Sequence, residues 1–93
     1  MTPEERRERL AALLLERHDA ERDLRMLARD MQVLGGQLRA IGGRLVSAAE
    51  RREGVSTEIV EDVAWATVPR AIDAYNATVD ELARIRAAIS EQD

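Results

Sequence analysis

The chain has 93 residues, enough for one domain and no more, and it contains no cysteine, phenylalanine or lysine. All 14 basic residues are arginine, 18 acidic residues bring the net charge to −4, and Trp65 and Tyr75 are the only aromatic rings. This excludes a disulfide scaffold, a Cys-based zinc site and a His-rich metal site, and the dominance of Ala, Leu, Arg and Glu favours an all-α fold over a sandwich or barrel.

The charge is unevenly spread: residues 1–30 sum to −1, residues 31–52 to +3 and residues 53–93 to −6. An acidic chain of mixed sign is a poor binder of nucleic acid, so no direct contact with DNA or RNA is expected. The complete replacement of lysine by arginine reads as the base composition of a high-GC bacterial or phage genome. No secretory leader or membrane span is recognisable, because the Leu10–Leu15 run is only six residues long. A cytoplasmic protein is expected.

Helix 1 is predicted over about residues 3–52. Thr2 can cap it, Pro3 suits its first turn, and Glu4 and Glu5 meet the positive end of its dipole. From Leu10 a heptad seam runs through Leu10, Arg17, Leu24, Met31, Leu38 and Leu45, and through Leu13, Ala20, Leu27, Leu34, Ile41 and Ala48. Arg17 is its single polar member, and the repeat predicts a long helix with a coiled-coil type of face.

Two glycine pairs interrupt this pattern in a small internal repeat, Leu34-Gly35-Gly36-Gln37-Leu38 and Ile41-Gly42-Gly43-Arg44-Leu45. Interior glycine costs about 1 kcal/mol per position. Two readings are open. A break at Gly35-Gly36 or Gly42-Gly43 gives a three-helix bundle. A continuous helix, favoured because the seam keeps its phase across both pairs, gives a hairpin. Gly35 and Gly42 then serve close helix packing, opposite Trp65 and Tyr75.

Gly54 is the expected C-terminal glycine of helix 1, and Ser56 the expected cap of helix 2. Helix 2 is predicted over about residues 57–91, with a seam of Trp65, Val68, Ile72, Tyr75, Val79, Leu82, Ile85 and Ile89. Pro69 lies inside it and should kink it, because proline removes one hydrogen bond and clashes with the carbonyl four residues earlier. The short connection makes the helices antiparallel, so residues 1–93 form a single helical domain.

At about 1.5 Å per residue, helix 1 is roughly 20 Å longer than helix 2. Helix 2 should run out near Arg17, leaving the Leu10–Leu15 cluster uncovered. A thin hairpin with an apolar overhang calls for more helices, so a homo-oligomer, most simply a dimer forming a four-helix bundle, is expected. Leu10, Leu13, Leu14, Leu24, Leu27 and Met31 are its candidate interface.

No catalytic residue, metal site or cofactor is expected. His18 among Glu16, Asp19, Glu21 and Asp23 reads as a solvated helical face, since a bundle di-iron site needs two Glu-x-x-His pairs. The expected function is a non-enzymatic interaction or assembly protein that oligomerises and binds a protein partner by helix–helix packing. Two alternatives stand beside it. One is a small acidic regulator or inhibitor of phage or mobile-element type, whose Glu58, Glu61 and Asp62 meet a basic surface of a nucleic-acid-handling protein. The other is a small bundle enzyme using Arg17 and Arg86 as anion contacts.

Overall fold

Thr2 opens the first helix as anticipated. Its hydroxyl oxygen accepts a hydrogen bond from the Glu5 amide at 3.1 Å, and Pro3 occupies the first turn, where a missing N–H leaves no bond unmade. In the computed structural model, which describes residues 1–92, this helix, α1, runs unbroken over Pro3–Arg51. A short turn of helix, α2 (Glu58–Glu61), a 3-10 turn (Trp65–Thr67) and the returning helix α3 (Val68–Glu91) follow. The described residues contain no strand, and the fold is an all-α antiparallel hairpin. None of its helices is long and apolar enough to cross a membrane.

The three-helix alternative is not realised: α1 passes through both glycine pairs. Every other seam residue from Leu10 onward is buried or half-buried except Leu38 and Leu45, which are 36% and 47% exposed. A continuous 3.5-residue seam gives one face to pack over the whole length, whereas a break would sacrifice helix hydrogen bonds at two places.

α1 does not end on Gly54. Arg52 takes the left-handed conformation (φ 54°, ψ 42°), and the Glu53 amide donates to the Ala48 carbonyl at 2.9 Å. That six-to-one bond closes the helix in the manner of a Schellman turn, without the glycine that normally occupies the position. Ser56 does act at the next start: its Oγ accepts from the Glu58 amide at 3.2 Å.

The bend in the second limb falls at Asp62–Ala64, ahead of Pro69. Proline therefore sits in the first turn of α3, where its lost N–H and fixed φ cost nothing, instead of kinking a helix interior. The break is stitched by local bonds. The Trp65 indole N–H donates to the Val60 carbonyl at 3.0 Å, and the Thr67 hydroxyl donates to the Ala64 carbonyl at 2.7 Å. It also re-aims the chain, so that Ile59, Val60 and Val63 before it and Val68 after it are all half-buried.

Within α3 the seam differs from the expected one at two places. Val68, Ala71, Tyr75, Thr78, Leu82, Ile85 and Ile89 lie towards α1, while Ile72 and Val79 are 40% and 39% exposed. Both series satisfy the apolar periodicity. The observed one puts small side chains, Ala71 and Thr78, at alternate positions, and the Thr78 hydroxyl is satisfied internally by the Ala74 carbonyl at 3.0 Å.

The buried side chains among the described residues are few: Leu13, Ala20, Leu82 and Ile85. The core is a ribbon rather than a ball. The molecule measures 72 × 21 × 15 Å with a radius of gyration of 21.1 Å, against about 12 Å for a compact chain of this length.

Candidate interaction surface

One ion-pair cluster marks the register of the hairpin. Glu21 on α1 lies 3.6 Å from Arg86 on α3 and 3.8 Å from Arg17, one turn earlier on its own helix. Arg17 and Arg86 are expected together as anion contacts. They do converge, and the carboxylate they converge on is Glu21 of the same chain. Glu21, expected only as part of the solvated face around His18, stands four residues from Arg17, the spacing of a helical ion pair. All three side chains are 37–62% exposed, so the cluster adds little stability, and the register it marks is held by the packing of Ala20 against Leu82 and Ile85.

This register corrects the expected overhang in part: Leu13 is covered, while Leu14 and Leu15 stay 39% and 64% exposed. It places the last turn of α3, with Ile89 and Gln92 half-buried, alongside the α1 turn that carries Leu13. Leu13 is 2% exposed and belongs to the hairpin's own seam. The reach is longer than predicted because the returning limb begins at the turn after Arg52 and includes non-helical residues at 53–57 and 62–64, which advance further per residue than an α-helix; the 3-10 turn adds a little more. What projects beyond the pair is the charged start of α1. Of the candidate interface residues, Leu10, Leu24, Leu27 and Met31 are half-buried along the seam, and Leu14 is 39% exposed.

The Glu21–Arg86 pair also separates the two long sides of the hairpin. Residues seven apart on a supercoiled helix share a side. On the Glu21 side α1 therefore carries Leu14, Ala28, Gly35, Gly42 and Ala49, and α3 carries Ile72 and Val79 beside Arg86. An open groove of about 540 Å³ runs here between Ala28, Met31, Gly35, Gly36, Arg39 and Tyr75. On the opposite side, Glu16, Asp23 and Glu81 line one shallow groove, and Asp23, Met26, Leu27, Asp30 and Thr78 line the next. Arg22 reaches Asp23 at 3.6 Å and Arg84 pairs with Glu81, while Glu16 and Asp30 have no ion partner among the described residues. The Glu21 side is the richer in exposed aliphatic side chains, with arginines at its edge, and the opposite side is the richer in carboxylates.

The glycines do not serve close packing inside the hairpin, contrary to expectation. A Cβ built on Gly35, Gly36, Gly42 or Gly43 meets no other atom within 4 Å. Trp65 is 50% exposed and is held at the bend by its bond to Val60, so it does not fill the space opposite Gly42. Tyr75 is half-buried and forms one wall of the groove that Gly35 floors.

Glu58, Glu61 and Asp62 are exposed on and just after α2, with no ion partner among the described residues. His18 is exposed, and no group of three His, Asp or Glu residues converges as a metal would need among the described residues. No family model matches the chain, and neither a curated protein nor a solved structure does.

Proposed function

We propose that this chain is a non-enzymatic helical assembly module of the cytoplasm, which self-associates and offers the finished bundle to a protein partner. The observation that carries this reading is surplus surface. A compact monomer of 10.4 kDa exposes about 5,400 Å², whereas this hairpin exposes 7391 Å². The difference, about 2,000 Å² per chain, matches what obligate homodimers bury from each subunit. Much of the surplus is apolar: Leu38, Leu45, Ile72, Val79 and Trp65 are each between 36% and 50% exposed.

Light scattering on the eluting native protein tests this. A mass at least twice 10.4 kDa, held on dilution into the low micromolar range, is the expected result. A helical particle of single-chain mass at all concentrations overturns it.

A second reading, an acidic inhibitor that mimics a charged surface, draws on the unpartnered Glu58, Glu61 and Asp62. Replacing them with Gln, Gln and Asn should leave self-association unchanged and weaken only that activity.

A further inference from the structure

The hairpin offers a second copy two very different sides. The acidic side presents Glu16, Asp23, Asp30 and Glu81 along its grooves. Bringing two such sides together would desolvate carboxylates against carboxylates, which is strongly unfavourable. The Glu21 side carries Ile72 and Val79, both two-fifths exposed, together with Tyr75, Met31 and the edge of Leu38. Of its own charges, Glu21 sits between Arg17 and Arg86, which leaves one positive charge there, and Arg39 lines the groove without an ion partner among the described residues; the long arginine stems let these heads stay at the wet rim.

We infer, resting on the self-association proposed above, that a second copy of this chain covers the Glu21 side, centred on the groove between Tyr75 and Gly35, and that the acidic side stays in water. Two arguments commit the groove to a second copy. The surplus of about 2,000 Å² per chain exceeds the roughly 800 Å² that a standard interface takes from each partner and lies within the obligate homodimer range. The side is also self-complementary in relief: by the seven-residue repeat the exposed Ile72 and Val79 of α3 share it, and the groove on it is floored by Gly35 and Ala28 of α1. A two-fold axis can seat the ridge of each copy in the trough of the other, as an isologous interface requires. The open space above Gly35 is then filled from outside the chain.

The test uses the absence of native cysteine. Single variants Ile72→Cys and Ala74→Cys place thiols two residues apart on α3, the first on the apolar side and the second, itself exposed, on the acidic side. Maleimide labelling is followed with mass by light scattering on the same samples. The expected result is a dimer in which Ile72→Cys reacts at least tenfold more slowly than Ala74→Cys, with the difference vanishing on dilution to the monomer. The pair Ile72→Glu with Val79→Glu should weaken dimerisation at least 100-fold, while Ala74→Glu leaves the mass unchanged.

A dimer whose two thiols react equally, or in which Ala74→Cys is the protected one, overturns the assignment of the side and leaves self-association standing. A well-folded particle of single-chain mass overturns both. Far-UV circular dichroism on every variant identifies a loss of mass caused by unfolding. In that event the two thiol variants, which bury no charge, decide the assignment.

Discussion

The most informative perturbation is the double replacement Gly36→Ala and Gly43→Ala. Both glycines lie in the interior of a 49-residue helix, both are exposed, and an added Cβ meets nothing within 4 Å at either. Neither has positive φ, so alanine is adopted without strain. Each replacement should therefore return the helix-propensity difference of about 0.8–1 kcal/mol. The sites are seven residues apart, roughly 10 Å along the axis, so the effects should add to about 2 kcal/mol. For a domain of this size 1 kcal/mol moves Tm by about 4–8 °C. The double variant should thus melt about 6–16 °C higher than the parent, read by circular dichroism at 222 nm at equal protein concentration. An unchanged or lower Tm refutes the reasoning. A fall is what a chain that turned at either glycine pair would give, since alanine would there be forced into a conformation that glycine tolerates and L-residues resist.

Three further predictions follow from the ends, the bend and the register. Arg52→Gly relieves a left-handed arginine at the close of α1 and should raise stability by about 1 kcal/mol in urea melts; a loss would mean that the Arg52 side chain outweighs its backbone strain. Pro69→Ala should cost less than about 1 kcal/mol, because proline in a first helical turn contributes only rigidity in the unfolded chain, whereas a gain near 3 kcal/mol by the same assay would place it in a helix interior. Glu21→Gln should cost under about 1 kcal/mol at low salt, and the difference from the parent should disappear near 1 M NaCl; persistence at high salt would show that the half-exposed cluster acts by more than charge.

The fold class, the length of α1 and its cap at Thr2 are legible in the sequence because each rests on a local rule repeated many times. A seam carried through twelve heptad positions leaves little choice of face. The errors lie where two local rules compete. Pro69 forbids a helix interior but permits a helix start, and only the surrounding chain chooses between them. Ile72 and Ala71 both fit the apolar period of α3, and the choice is made across the hairpin, by what α1 places opposite. Arg52 shows the same: Gly54 has the intrinsic preference for a left-handed turn, yet the helix ends two residues earlier, where the Ala48 carbonyl can accept from Glu53. The division into an apolar and an acidic side was within reach of the sequence, through Arg17 and Glu21 at a spacing of four, had the register of the returning helix been known.

Trp65 gives the molecule an optical gauge of its own bend. It is the one tryptophan in the chain, and its indole N–H is tied to the Val60 carbonyl across the break between α2 and α3. Its emission therefore reports on six residues around the joint, while far-UV ellipticity reports mostly on α1. The two signals address separate parts of one small chain without any label. If the joint opens before the hairpin separates, the fluorescence transition will precede the ellipticity transition during a urea titration; if the hairpin melts as one unit, the two curves will superimpose.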